Sequence, residues 1–414
     1  MSVIRKSELI KQLSEIDTFR RSKVSDPVVI FDSKLLHDDD TMLWDDVTTS
    51  GSANSTYLTN EGLVELSVDP SVQGRRTRRT RRYISNQSGK SQSIYMAGSF
   101  MTADNGVIKR IGLFDDDDGI FFIYDDTGIG IGTKSSVSGS VVENITYQSS
   151  WNLDKLDGTG KSGISINSLF GQIFIIDYQW ISFGMVRWGF IINGDVVYVH
   201  TNNYTNNSNN SYIRYPDLPL SFDIVSDGTG TAGNSVLRCM CSTVVTEGAE
   251  QKLGISRHIS MRNNLTPVLS DDTFVYPLLS LRFQSGKIHG TIVITRISAI
   301  CTSNSNFEVI LVANPTLDNN VADGAIWNPV PLSNMEYDFN RSLSNNRILD
   351  DGTLLEIDGF HVSVSGDADT RDMDSNISLG VSINGDIDEI VLCIRKISGG
   401  NENYTGSLTF KEIN

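Results

Sequence analysis

Cysteine, histidine, excess positive charge and long apolar runs are all scarce in this chain. Four cysteines in 414 residues, Cys239, Cys241, Cys301 and Cys393, are too few to form the disulfide framework of a chain this size. They fit assembly in a reducing cytosol. The five histidines, His37, His200, His258, His289 and His361, are dispersed without metal-ligand spacing. Neither His-Glu-x-x-His nor Gly-x-Ser-x-Gly occurs, which removes the metalloprotease and nucleophile-elbow readings. No run approaches the roughly 18 consecutive apolar residues of a membrane span. The opening MSVIRKSELIKQL has no apolar core followed by a small-residue cleavage site, so no secretory signal is expected. Lys and Arg number 34 against 50 Asp and Glu, a formal net charge of -16, which argues against general binding to nucleic acid or anionic membrane. No cofactor and no metal are expected.

What the chain has is β pattern. From Gln172 to Tyr204, QIFIIDYQWISFGMVRWGFIINGDVVYVHTNNY, three runs rich in Val, Ile, Phe, Tyr and Trp are separated by small turn segments. Asn193-Gly194 between two such runs is the signature of a type I′ hairpin. Similar short runs recur at 79–84, 92–101, 107–114, 119–125, 129–133, 140–148, 221–225 and 235–246, with turn residues between them. This predicts an all-β protein: a central jelly-roll or lectin-like β-sandwich over residues 26–250 and a C-terminal β-sandwich over 251–414. The polar break TEGAEQKLGISR separates the two. Ahead of them, residues 1–25 read as a helical arm. Leu9, Ile10, Leu13, Ile16 and Phe19 recur at three- and four-residue spacing, a stripe that must dock on its own domain or on a partner.

Several motifs invite a site reading. Gly89-Lys90-Ser91 and Gly160-Lys161-Ser162 suggest a phosphate loop, but the glycine required five residues upstream is Ile84 in one and Lys155 in the other. Both therefore read as turns. The run GRRTRRTRRY carries Arg75, Arg76, Arg78, Arg79, Arg81 and Arg82. On a strand, Arg76, Arg78, Thr80 and Arg82 would share one face, and Arg75, Thr77, Arg79 and Arg81 the other. Such a stripe either binds phosphate or sulfated glycan, or pairs with carboxylates within or between subunits, and the second is the favoured expectation. The acidic groups 115–118, 125–126 and 367–374 are expected to be solvated loop carboxylates, with incidental calcium as the alternative. Cys239 and Cys241, two apart on a strand, are expected to share a buried face.

GKSQSIYMAGSF, ITYQSSWNLDKLDGTGKSGISI, IFIIDYQWISFGMVRWGFIINGDVVYVHTNNY and LRCMCSTVVTEGA together resemble a recurring segment of virion structural proteins of large tailed phages and other large DNA viruses, over about residues 73–248. The resemblance implies a part of a virus particle and carries over no functional residue. The expectation is a non-enzymatic virion protein, assembled in the host cytoplasm. It would act as a homo-oligomer, with a trimer favoured, that docks onto other virion structural proteins and binds no specific nucleic acid and no membrane. The alternatives are a carbohydrate-binding tail or fibre adhesin, with Trp151, Trp180, Trp188 or Trp327 stacking on sugar, and a polysaccharide-degrading virion enzyme with two carboxylates roughly 5 to 10 Å apart.

Overall fold

The structure is a computed structural model that describes residues 16–18, 22, 26–51, 53–248, 254–261, 268–269, 275–301, 305–315, 326–339, 352–357, 361–363, 368–372, 379–398 and 402–413. The chain divides into two compact units, Met1–Gln251 and Lys252–Asn414. Both are all-β, and every strand pairing is antiparallel among the described residues.

The first unit contains β1 (Pro27–Ser33), β2 (Trp44–Ser50), β3 (Asn54–Leu58), β4 (Leu63–Val68), β5 (Gln73–Thr80), β6 (Gln92–Ser99), β7 (Val107–Phe114) and β8 (Gly119–Asp125). It continues with β9 (Gly128–Ser135), β10 (Val142–Tyr147), β11 (Gln172–Tyr178), β12 (Met185–Ile192), β13 (Asp195–Asn203), β14 (Leu220–Asp227) and β15 (Ser235–Glu247). One sheet runs β13-β12-β11-β6-β15-β4-β3, with β1 also on β15; the other runs β10-β9-β8-β7-β14-β5-β2. The result is a jelly-roll-like, lectin-like sandwich.

Period-two alternation explains which side chains fill it. In β14, Leu220, Phe222 and Ile224 point between the sheets while Ser221 and Asp223 point away. The interior is aromatic: Phe174 lies 5.0 Å from Phe122 and 5.3 Å from Phe190, ring centre to ring centre. Burying each such ring stabilises the fold by about 1.5–3 kcal/mol relative to exposure. At the β12–β13 hairpin, Asn193 and Gly194 have φ of 54° and 86°, and Ile192 pairs with Asp195, as a two-residue I′ turn requires.

Three expectations are corrected. Leu9, Ile10 and Leu13 lie outside the described residues, but Ile16 forms an antiparallel bridge with Ser22 and its carbonyl accepts from Arg187. The predicted helix therefore does not run through Ile16; a backbone carbonyl spent on a sheet arginine and the bridge to Ser22 replace it. Cys239 is buried but Cys241 is exposed, because β15 bulges against β6 between Cys239 and Ser242 and shifts the alternation by one residue. Asp115, Asp118 and Asp125, expected to be solvated, are buried. Asp115 accepts the backbone N–H groups of Asp117 and Asp118, and Asp118 accepts from Ser136 and from the Arg214 N–H. Turn N–H groups that would otherwise be orphaned draw these carboxylates inward.

The second unit is also a sandwich. Its smaller sheet contains Ile255–Ser260, Thr291–Cys301, Ala368–Asp372 and Glu402–Ile413, and its larger one includes Val275–Phe283, Ser305–Ala313, Met335–Asp338 and Glu389–Ser398. Ile294, Leu408 and Phe410 from the first meet Leu281, Leu311 and Leu392 from the second in one core. Glu308 and Arg395 face each other across a strand pair and bond at 2.7 Å. Of the acidic group at 367–374, Asp369 and Asp372 lie on a strand, and Asp367 and Asp374 lie outside the described residues.

Candidate functional site

Strand β5 holds four of the six arginines, and its two faces have different fates. The even-numbered side chains turn between the sheets. Arg78 is 1% exposed, bonds Asp46 at 2.8 Å and the Asp39 carbonyl, and lies 4.9 Å over the Trp44 ring. Arg76 donates to the Thr48 and Ser55 hydroxyls, each at 2.6 Å. These partners follow from register, since β2 places Asp46 opposite Arg78 and Thr48 opposite Arg76.

The odd-numbered side chains join a string of alternating charge on the outer face of the seven-stranded sheet. Lys134 contacts Glu143 at 3.5 Å, and Glu143 contacts Arg110 at 3.1 Å. Arg110 contacts Asp223 at 3.4 Å, and Asp223 contacts Arg75 at 2.8 Å. Arg75 then contacts Asp116 at 3.0 Å, and Asp116 lies 3.5 Å from Arg79. The string crosses β9, β10, β7, β14 and β5 and returns to β5 at Arg79 through Asp116 of the β7–β8 hairpin. Asp223, 1% exposed, also accepts from Thr77 at 2.6 Å. Burial works against the charge on Arg75, but Asp223 and Asp116 outweigh it and raise its pKa. Burial likewise opposes ionisation of Asp116, but Arg79 and Arg75 hold its carboxyl below the ordinary value. Burial lowers the pKa of Lys134 despite Glu143 beside it.

Beyond β5, Arg81 and Arg82 are half-buried. The Arg81 N–H donates to the Leu43 carbonyl, and Arg82 reaches the Ile30 carbonyl at 3.5 Å. The side chains of Arg75, Arg76, Arg78, Arg79 and Arg82 thus reach partners in their own unit.

A second buried centre lies on the other sheet. Asp177, 0% exposed, accepts from Ser91 and Tyr198 at 2.8 Å each and from Arg187, which also lies 4.3 Å over the Tyr198 ring. Ser91 is the serine of the first Gly-Lys-Ser sequence, so that motif ends in a buried hydrogen bond. In the second, the Ser162 N–H donates to buried Asp154 at 2.6 Å, and a Cβ on Gly160 would lie 2.1 Å from Asp154 Oδ1. Glycine is required there by a carboxylate of its own loop.

The tryptophans are buried or half-buried. Trp151 and Trp188 are buried, Trp180 bonds the Ile213 carbonyl, and Arg282 lies 3.8 Å over Trp327. No group of three or more His, Cys, Asp or Glu side chains is arranged to hold a metal among the described residues.

No family model matches the chain, and no curated protein matches it. Among solved structures it is similar to a family 7 alginate lyase, A1-II′, at 13% identity and a TM-score of 0.29, over 48% of this chain and 84% of that one. It is also similar to the carbohydrate recognition domain of Emp47p at 8% identity and a TM-score of 0.31, over 52% and 94%. A protein of unknown function from Shewanella oneidensis MR-1 matches at 11% identity and a TM-score of 0.34, over 61% and 98%. At these scores the likenesses carry no argument about activity.

The sequence reading missed Asp223, Arg110, Lys134, Glu143 and Asp177. A signal was present for three of them: charge set inside an apolar strand, a single charge in LSFDIVS and QIFIIDY and two in VIKRIGLF. A lone charge in such a run must find a partner across the sheet or be left buried and unpaired.

Proposed function

We propose that the chain is a non-enzymatic virion structural protein that acts by oligomeric assembly and by docking to other virion proteins. The fate of the arginine run carries this reading. The densest charge in the chain is consumed in tying β5 to β2, β14 and the β7–β8 hairpin of its own sandwich, a structural use of groups that a phosphate or sulfate site would present to solvent. The segment that resembles virion proteins, 73–248, is the segment that supplies β5 to β15.

Assembly as a homo-oligomer, a trimer by preference, would cover the exposed apolar side chains Leu169, Phe170 and Ile173. The test is an antibody raised against the purified chain, applied to density-gradient-purified particles of the encoding virus. A fixed copy number per particle supports the proposal. Recovery only in the soluble lysate overturns it.

A further inference from the structure

The cleft at the C-terminal end of β13 is unlike the rest of this charged surface. It has a volume of about 600 Å³ and is lined by Asn144, Asn152, Asn202, Asn203 and Asn207 with Thr133, Thr201, Thr205 and Tyr204. None of the nine carries a charge, although 20% of the chain is charged. That volume is within the range of small-molecule sites, about 300–1,000 Å³.

A relay through buried His200 fixes its floor. The Asn152 N–H donates to His200 Nδ1 at 3.3 Å, so the imidazole proton resides on Nε2 and is donated to Asn202 Oδ1 at 3.0 Å. Burial lowers the pKa of His200, in keeping with the neutral ring. Asn202 is thereby oriented with its Nδ2 toward the Tyr204 hydroxyl, which also bonds Thr133. The Tyr204 ring is stacked on Tyr212 at 4.5 Å with 10° between planes, and so is held rigidly. Asn152 is held in place by a pair of bonds to the Thr201 backbone, at 2.8 and 3.0 Å.

The rim is less committed. Asn203 uses Oδ1 to accept the Thr205 N–H, and its Nδ2 is unspent among the described residues. Asn144 is exposed on β10, and its side chain has no hydrogen-bond partner among them. A rigid floor with free amides at the rim is a preorganised arrangement, which lowers the cost of ordering on binding.

We infer that this cleft binds a neutral, polyhydroxylated ligand, an uncharged glycan. A carboxamide carries a donor and an acceptor side by side and so matches a sugar hydroxyl, which is both. The absence of cationic lining removes the groups that would hold phosphate, sulfate or uronate, and the absence of carboxylates removes those that would hold a divalent cation. The inference goes beyond the assembly reading and is independent of it.

The experiment is a screen of the full-length chain on an array of neutral and anionic glycans, followed by titration of the best binder with the wild type and with Asn203→Ala, Asn144→Ala and the double variant. Expected is binding to neutral glycans that is insensitive to salt, weakened by about tenfold in a single variant and further in the double. Tyr204→Phe, which keeps the stacked ring and loses the hydroxyl, is expected to weaken binding while leaving the fold intact. No neutral binder, a preference for anionic glycans, or unchanged affinity in the double variant would each overturn the inference.

Discussion

Strand β5 and the cleft beside β13 belong to the same sandwich and treat polarity in opposite ways. The strand carries Arg75, Arg76, Arg78 and Arg79 in eight residues, and the carboxylates and hydroxyls of its own unit receive them. The cleft has five amides and no charge, and part of its hydrogen-bonding capacity is unspent. Density of charge is the more conspicuous feature in sequence, yet it marks the framework. Unspent neutral polarity is inconspicuous in sequence and marks the better site. The physical reason is desolvation: a guanidinium within a sheet must be paired to persist, whereas an amide at a rim can keep its capacity open to water at small cost.

The contrast can be broken most strongly at the buried carboxylates. Asp177→Ala removes the common acceptor of Ser91, Ser93, Tyr198 and Arg187 and takes from buried Arg187 the carboxylate it bonds directly. A loss of about 3–5 kcal/mol in the urea unfolding of the first unit is expected.

Asp217 tests the opposite sign. It is buried and accepts the Asn86 N–H at 2.7 Å, and no ion pair to it is present among the described residues. Burial pushes its pKa from 3.8 up to about 6, against that bond. The folded state therefore binds more protons than the unfolded one between these values. Its contribution to stability falls as pH rises from 3.8 to about 6 and is fully unfavourable above that, by about 3 kcal/mol at 1.36 kcal/mol per pH unit. Asp217→Asn is expected to raise the unfolding midpoint of the first unit at pH 7.5 and to change it little at pH 4.

Arg78→Lys is a smaller break. It keeps the charge but loses the fork that spans Asp46 and the Asp39 carbonyl, with an expected cost of about 1–3 kcal/mol in the same assay. Smallest of all, Asn144→Ala with Asn203→Ala should leave unfolding within about 0.5 kcal/mol of the wild type, since these side chains are exposed.

How much of this was legible in sequence depends on the range over which the information acts. The Asn193-Gly194 hairpin and the strands at 107–114, 119–125 and 185–192 were readable because turn chemistry and alternation are local. The two faces of β5 followed from period two alone, and the intramolecular acids were the favoured partners. Which acids they are was not readable, because Asp223 lies about 150 residues downstream in the chain and reaches Arg75 only through the β5–β14 pairing. The phase slip at Cys241 depends on a bulge that no residue in β15 announces. The stripe around Ile16 has helical spacing, but the Arg187 contact that fixes Ile16 is tertiary. The cleft escaped notice because its asparagines come from three separate segments, 144, 152 and 202–207, which read separately as ordinary loop or edge-strand composition.

The most direct test is a double-mutant cycle between Arg75 and Asp223, measured by urea unfolding of Arg75→Ala, Asp223→Ala and the pair. If the charge string holds the sheet together, the two changes should couple by about 1–3 kcal/mol. Additivity within about 0.5 kcal/mol would mean that the arginine strand is not the framework element described, and would reopen it as a site for an external anion.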